Sequence, residues 1–188
     1  MTKINSLVIG GCKSGKSKYA LKLADEISPG SILSNGKAVK LFIATSIPTD
    51  SEMEERVTAH KKERGKDWIT IEEPVALARV IKEYSKKTDV ILVDCLTLWL
   101  SNMLFKGLEK PEIIDNIQNL INETKYSKCS VIFVSNEVGA GIVPENKLAR
   151  LFRDLAGIAN QTIADAMDNV VFCVAGIPVN IKGKMGNK

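Results

Sequence analysis

Gly10-Gly11-Cys12-Lys13-Ser14-Gly15-Lys16-Ser17 follows the pattern G-x-x-x-x-G-K-[ST] of a phosphate-binding loop. The apolar run at residues 6–9 predicts a buried strand before the loop, and apolar side chains at helical spacing predict a helix over Lys16–Ile27 after it. The alternative is a chance glycine-rich turn. Strand, loop and helix occur in the order that the motif requires, which favours a genuine phosphate site.

The residues of this loop explain how it would bind an anion. Glycines permit a tight turn in which successive backbone N–H groups point inward, and the positive end of the following helix adds to their field. Lys16 is placed to reach the β- and γ-phosphates, and Ser17 can offer its hydroxyl to Mg²⁺. The sequence therefore predicts a nucleoside triphosphate site that comprises Gly10, Gly11, Cys12, Lys13, Ser14, Gly15, Lys16 and Ser17.

The bulk composition predicts one globular domain. The chain has 188 residues, of which 45% are hydrophobic and 26% are charged, and this is enough for a substantial core. We assign residues 1–182 to a single nucleotide-binding domain and expect residues 183–188 to form a disordered tail. The net charge of +4 is too small to predict a nucleic-acid partner.

The cysteines and the lack of a long apolar segment predict a cytoplasmic protein. Cys12, Cys95, Cys129 and Cys173 form no C-x-x-C pair, and the chain has one histidine, so a zinc site is not expected. Reduced, mostly buried thiols are the plain interpretation. No apolar run is long enough to span a membrane, and we recognise no signal peptide.

Apolar, β-branched runs alternate with helical patterns along the whole chain. The predicted strands are residues 7–9, 40–45, 69–72, 90–94, 131–135, 170–175 and, as an edge strand, 179–182. The predicted helices are residues 16–27, 50–63, 74–85, 96–105, 111–126 and 144–167. Strands that are apolar throughout and separated by helices indicate an α/β fold whose central sheet is mostly parallel and covered on both faces.

A second feature of phosphate-loop enzymes is an acidic residue at the end of one of these strands. The apolar run over Val90–Asp94 ends in a carboxylate, and in phosphate-loop enzymes a carboxylate at such a position faces the metal, directly or through water. A strand that ends in aspartate can also simply cap the next helix. Together with the loop, Asp94 is a candidate Mg²⁺ ligand beside Ser17.

His60, the only histidine, lies near the basic end of the helix predicted at residues 50–63. Taken alone, it could be an ordinary packed or partly exposed histidine. Lys61, Lys62 and Arg64 surround it in sequence, and nearby cations lower the pKa of an imidazole. A neutral imidazole is a competent nucleophile toward phosphorus. The basic cluster could equally be a solvated helix end that the helix dipole favours.

Together these segments resemble the family of bifunctional adenosylcobinamide kinases / adenosylcobinamide-phosphate guanylyltransferases of cobalamin biosynthesis. Besides the phosphate loop, the resemblance rests on residues 42–46, 54–64, 68, 93–102, 135–139, 141–146, 150, 152–154, 157, 160–161 and 176–178. The loop is generic, whereas the histidine segment, Asn136-Glu137-Val138-Gly139 and Pro144-Glu145-Asn146 are specific in this order. The match covers nearly the whole chain.

The resemblance implies a single-domain P-loop NTPase fold of the RecA-like kind and two transferase activities. The first is phosphorylation of adenosylcobinamide with ATP or GTP, with Mg²⁺ as the metal. The second is transfer of GMP from GTP to adenosylcobinamide phosphate, which releases pyrophosphate and gives adenosylcobinamide-GDP. It also implies a corrinoid substrate, no nucleic acid, no membrane span, and a homo-oligomer for which a trimer is suggested.

The resemblance also assigns roles to residues of this chain. The family's covalent histidine, which carries GMP, falls on His60, and Lys16 is catalytic together with it. The nucleotide contacts outside the phosphate loop fall on Ala44, Thr45, Ser46, Lys61, Lys62, Glu63, Arg64, Glu72 and Asp94. The general base of the kinase step stays open among Glu72, Asp94 and Glu137.

Three other interpretations share the phosphate loop. A monofunctional small-molecule kinase would form no covalent GMP adduct, which distinguishes it. A regulatory GTPase would need an N-K-x-D signature, and Asn146-Lys147-Leu148-Ala149 lacks the aspartate. A nucleic-acid motor would need a strong basic stripe or a set of stacking aromatic residues, and the sequence has neither.

Overall fold

The computed structural model describes residues 3–29, 39–47 and 68–183. The helix predicted at residues 50–63 lies outside these ranges, as do His60, Lys61, Lys62, Glu63 and Arg64. Residues 184–188 of the predicted tail also lie outside them. In the part of the chain that is described, no helix is long and apolar enough to cross a membrane.

Strands and helices alternate as the apolar pattern predicts. The strands are β1 Ser6–Gly10, β2 Lys40–Ala44, β3 Trp68–Glu72, β4 Val90–Asp94, β5 Ser130–Asn136, β6 Asn169–Val174 and β7 Ile177–Lys182. The described helices are α1 Lys16–Ile27, α2 Leu77–Tyr84, α3 Leu96–Phe105, α4 Lys110–Tyr126 and α5 Lys147–Ala166. Each of these elements has the type that the sequence predicts, and the bounds differ most at the starts of α2 and α5.

The helix α2 begins at Leu77 instead of at the predicted residue 74 because Glu73 organises a turn before it. The Glu73 carboxylate accepts hydrogen bonds from the amides of Val75 and Ala76 at 3.0 and 2.8 Å. Burial would raise the pKa of Glu73, but these two amides and the guanidinium of Arg79 hold this pKa below its usual value. The carboxylate therefore serves the turn in its charged form.

The helix α5 begins at Lys147 instead of at the predicted residue 144 because Asn146 caps it. The side-chain oxygen of Asn146 accepts the amide of Ala149 at 3.0 Å and satisfies one of the free donors of the first turn. The segment 144–146 is thus part of the loop before the helix.

The sheet has the order β3-β2-β4-β5-β1-β6-β7. All neighbouring pairs from β3 to β6 are parallel, and β7 is antiparallel to β6. β7 is the predicted edge strand, and it is reached through a hairpin turn in which Ala175 and Gly176 both have positive φ. The carboxyl ends of the six parallel strands therefore lie along one edge of the sheet, here called the carboxyl edge.

Helices cover both faces of the sheet, as the parallel pairing requires. On one face α1 contributes Ala20 and Ala24 to a core that includes Val8 and Leu92. On the other face α2, α3, α4 and α5 contribute to a larger core around Trp99, which is 1% exposed. The Trp99 Nε1–H donates to the carbonyl of Val75 at 2.7 Å, so burial of this indole leaves no polar group unsatisfied.

One buried asparagine joins α5 to the carboxyl end of β5. Asn160 accepts a hydrogen bond from the hydroxyl of Ser135 at 2.6 Å and donates one to the carbonyl of Asn136 at 3.2 Å. It is 9% exposed, so water cannot readily replace these partners. Asn160 therefore sets the position of α5 against the strand that neighbours the phosphate loop.

We predict that Asn160→Ala lowers the free energy of unfolding by about 2 kcal/mol, because it leaves the buried groups of Ser135 and Asn136 without their partner. Urea unfolding followed by circular dichroism measures the change. Gln161→Ala, at the adjacent exposed position, is the matched control and should change the free energy by less than about 0.5 kcal/mol. Equal effects of the two substitutions would contradict this role.

Candidate nucleotide-binding site

The strand register gathers the predicted site residues at the carboxyl edge. Ala44, at the end of β2, pairs with Glu72 at the end of β3 and with Asp94 at the end of β4. Gly10, at the end of β1, pairs with Asn136 and Cys173. Ligands of open α/β sheets bind outside the carboxyl ends of the strands, so this edge is where a nucleotide would lie.

Gly15 gives the phosphate loop a left-handed backbone conformation at the start of α1. Gly15, immediately before α1, has φ 88°, and its added Cβ would lie 3.1 Å from the Cα of Gly176. The amide of Gly176 also donates to the carbonyl of Ser14 at 3.0 Å. The hairpin turn between β6 and β7 therefore packs against the phosphate loop and stabilises the conformation of the loop.

Gly10, the first glycine of the loop, is required for a different reason, because neighbouring atoms occupy the space that a side chain would need. A Cβ added to Gly10 would lie 2.4 Å from the Ser14 Oγ and 2.6 Å from the carbonyl oxygen of Cys173. The Ser14 hydroxyl is buried and has no hydrogen-bond partner among the residues that the structure describes. Because the space around Gly10 is filled, a side chain at this position would require Ser14 or Cys173 to move.

Lys16 lies with its ammonium folded over the loop. Its Nζ donates to the carbonyl of Gly11 at 3.1 Å. Burial raises the pKa of the Cys95 and Cys173 thiols, and the positive charge of Lys16 opposes that rise at both. Lys16 thus acts electrostatically on the ends of β4 and β6, and a phosphate in the loop would offer it a stronger partner than a carbonyl.

Thr45 uses its hydroxyl to join β2 to β4. The hydroxyl donates to the carbonyl of Cys95 at 2.8 Å and accepts the Cys95 amide at 2.7 Å. The side-chain amide of Asn102 donates to the Thr45 carbonyl at 2.8 Å. Thr45 is fully buried, whereas Ser46 beside it is partly exposed.

A polar pair, Asn136 and Thr97, lies between Asp94 and the phosphate loop, and the sequence assigns neither residue a role in the site. The side-chain amide of Asn136 donates to the Thr97 Oγ1 at 2.7 Å, and this oxygen lies 3.1 Å from the Cys95 Sγ. A polar residue at the end of a strand was visible in the sequence. Only the strand order shows that β5 lies directly between β4 and β1, which makes Asn136 a neighbour of both sites.

Glu137, a candidate general base, is engaged within its own loop. Its amide donates to the carbonyl of Gly10 at 3.1 Å, and its carboxylate accepts the amide of Gly139. Glu72 and Asp94, the other two candidates, lie at the carboxyl edge by register. The arrangement thus favours a bracing role for Glu137 and leaves the base unassigned.

A groove on the described part of the chain lies away from the phosphate loop. This groove of about 230 Å³ runs between α3 and α5 and is lined by Leu104, Phe105, Leu148 and Phe152 among others. None of its lining residues is a predicted site residue, and the described residues contain no group of three or more His, Cys, Asp or Glu side chains that could hold a metal. The groove therefore shares no residue with the predicted nucleotide site.

Comparison with known proteins identifies relatives along almost the full chain. A family model described as cobinamide kinase / cobinamide phosphate guanyltransferase matches residues 6–181. The Pseudomonas aeruginosa bifunctional adenosylcobalamin biosynthesis protein CobP is 38% identical over 182 residues, covering 96% of this chain and 99% of that protein. The Salmonella typhimurium bifunctional adenosylcobalamin biosynthesis protein CobU is 40% identical over 188 residues, covering 94% and 98%.

A solved structure supports the fold independently. A Pyrococcus horikoshii OT3 protein superposes with a TM-score of 0.53 over 98% of this chain and 90% of its own, at 12% sequence identity. At this identity the likeness concerns the fold alone.

We predict that Gly10→Ala weakens nucleoside triphosphate binding at least tenfold, because the new Cβ displaces Ser14 or Cys173 and distorts the loop. Titration calorimetry with ATP and GTP measures the dissociation constants. Gly157→Ala is the control, since a Cβ there meets nothing within 4 Å, and it should leave both constants unchanged. An unaltered affinity in Gly10→Ala would show that the loop accommodates a side chain.

Proposed function

The chain belongs to the cobinamide kinase / cobinamide phosphate guanyltransferase family, and we propose that it phosphorylates adenosylcobinamide and then transfers GMP to the product through a guanylylated His60. The observation that carries this proposal is a phosphate loop of the required backbone at the carboxyl edge of a chain that matches the family over residues 6–181. The chain is accordingly a transferase with a kinase and a guanylyltransferase reaction.

In the kinase step, the hydroxyl of the acceptor attacks the γ-phosphorus of ATP or GTP and the nucleoside diphosphate leaves. The loop amides and Lys16 stabilise the charge on the phosphoryl oxygens as the bond to the leaving oxygen breaks. Lys16 is well placed for this, because its ammonium already lies within 3.1 Å of the Gly11 carbonyl and is held over the loop. Positioning and charge supply most of the catalysis in such a transfer, and base assistance contributes little.

Ser17 and Asp94 are the residues that would hold Mg²⁺. Both offer the hard oxygen donors that Mg²⁺ prefers, one from the first turn of α1 and one from the end of β4. Two protein oxygens suit an ion that keeps several waters and completes its coordination with substrate phosphates. When bound, the ion would neutralise charge on the β- and γ-phosphates.

In the transferase step, a ring nitrogen of neutral His60 attacks the α-phosphorus of GTP. The P–N bond forms as the bond from the α-phosphorus to the bridging oxygen breaks, and pyrophosphate leaves. A phosphate oxygen of adenosylcobinamide phosphate then attacks the same phosphorus, and the imidazole departs. The loop that binds β- and γ-phosphates in the first reaction would retain pyrophosphate in the second.

Lys61, Lys62, Glu63, Arg64 and Glu72 complete the proposed nucleotide contacts, with Ala44, Thr45 and Ser46. We further propose that the enzyme works in the cytoplasm as a homo-oligomer, with the trimer suggested by the family resemblance. The four cysteines are free, three of them buried, which suits a reducing compartment.

Incubation with Mg²⁺ and GTP should add one GMP to the protein, detected by intact-mass spectrometry as an acid-labile, base-stable adduct. His60→Ala should abolish the adduct completely, because no other imidazole is present. Lys18→Ala, at an exposed position of α1, should retain it. An adduct that persists in His60→Ala would exclude the assignment, and its absence in the unaltered protein would leave a monofunctional kinase.

Lys16→Ala should lower both the phosphorylation and the guanylyl-transfer rates by about 100-fold, because both reactions need the same triphosphate held and its charge balanced. Steady-state assays of each reaction measure this, with Lys18→Ala again as the control. Loss of one activity alone would indicate two separate triphosphate sites.

A further inference from the structure

The first half of α5 projects beyond the carboxyl edge. The Asn160 side chain donates a hydrogen bond to the Asn136 carbonyl at the carboxyl end of β5. After α5 the chain enters β6 at the opposite, amino edge of the sheet, where Asn169 pairs with Ser6. The helix packs in the core from Leu155 onward, and the preceding residues 147–154 extend outward over about 12 Å at the helical rise of ~1.5 Å per residue. In agreement, no residue of 147–154 is fully buried.

The loop at residues 138–145, here called the rim loop, is bound to this projecting half by two arginines. The Arg153 guanidinium donates to the carbonyl of Ile142 at 2.9 Å and to the carbonyl of Gly139. The Arg150 guanidinium donates to the carbonyl of Pro144 at 3.0 Å. Because each arginine binds backbone oxygens, the loop is held in one shape without using its own side chains.

The rim loop presents two adjacent apolar side chains to solvent. Ile142 is 96% exposed and Val143 is 65% exposed. Isolated exposed apolar residues are common, but a loop that two guanidiniums immobilise with its apolar side chains outward is preorganised for a partner. Covering these side chains would cost little additional entropy.

The rim loop also begins beside the phosphate loop. Its preceding residue, Glu137, donates its amide to the carbonyl of Gly10 at 3.1 Å. An acceptor that delivers a hydroxyl to a γ-phosphorus in the phosphate loop must bring the rest of its structure to the space outside the carboxyl edge. The rim loop and the first half of α5 are the parts of the described chain that extend into that space from β5.

We propose that Ile142 and Val143 form a docking surface for the macrocycle of the corrinoid acceptor, so that its aminopropanol arm reaches the phosphate loop. This inference rests on the proposed function and assigns the acceptor side of the same site. A macrocycle has far more apolar surface than a nucleotide and needs a rigid apolar support outside the anion-binding loop. Two side chains offer a surface well below the roughly 800 Å² per partner of a stable protein interface, which favours a small molecule over a second copy.

The test compares the Michaelis constants of the two substrates in the full-length enzyme. Ile142→Ser should raise KM for adenosylcobinamide about tenfold in the kinase assay, and for adenosylcobinamide phosphate in the transferase assay, while KM for the triphosphate stays unchanged. Ile181→Ser is the matched control, since Ile181 is 64% exposed and lies on β7 next to Lys182, which pairs with Val170 near the amino edge. It should change neither constant.

Two results would overturn the inference. One is an active Ile142→Ser enzyme with an unchanged acceptor KM, which leaves the proposed function intact and removes the docking surface alone. The other is a change of sedimentation coefficient in Ile142→Ser, which would make the rim loop an interface between copies. If the unaltered chain does not phosphorylate adenosylcobinamide at all, the proposed function and this inference fail together.

Discussion

The structure depends on one constraint, which is that the phosphate loop must point its backbone amides at an anion. Such a loop has few internal hydrogen bonds to stabilise it, and it needs glycine at its tightest points. The protein supports it from three directions: Gly176 packs below Gly15, Cys173 and Ser14 crowd Gly10, and the Glu137 amide binds the Gly10 carbonyl. Each of these partners comes from an element that follows the loop by more than 100 residues, except for Ser14. The loop therefore acquires its shape only when the whole sheet is assembled.

The polar groups between the strands join this loop to the rest of the carboxyl edge. Thr45 binds the backbone of Cys95, Asn136 binds Thr97, and Asn160 binds Ser135 and the Asn136 carbonyl. These bonds are buried or partly buried, and they resist relative movement of β2, β4, β5 and α5. Under the proposed function, an edge held in this way would give both transfer reactions one anion site, in which the same loop binds the departing diphosphate and the departing pyrophosphate.

The aliphatic residues of the rim loop complement that fixed site. Holding a loop in one conformation costs conformational entropy. Here two arginines of α5 fix the loop by donating hydrogen bonds to its backbone carbonyls. The result is a polar, charge-binding centre beside a small rigid apolar surface. That division matches an acceptor whose reacting arm is polar and whose body is a large ring.

The sequence by itself determined the elements and the anion site. Apolar runs separated by helical patterns indicated a mostly parallel sheet, and the loop motif located the phosphate site, because both signals are local: they depend on side-chain period and on glycine at fixed spacing. It also indicated Asp94 as a strand-end carboxylate, and a helix-capping role fits the same local pattern.

Only the tertiary structure decided what depends on strand order and on contacts between distant segments. The order β4-β5-β1 makes Asn136 a neighbour of both Asp94 and the phosphate loop, and nothing in the local pattern of residues 130–136 specifies that order. The family resemblance implies a nucleotide contact at Thr45, and only the folded chain shows that the Thr45 hydroxyl is hydrogen-bonded to Cys95, fifty positions away. The shape of the rim loop likewise depends on the folded chain, because Arg153 of α5 donates to the carbonyls of Gly139 and Ile142, which are 14 and 11 positions away.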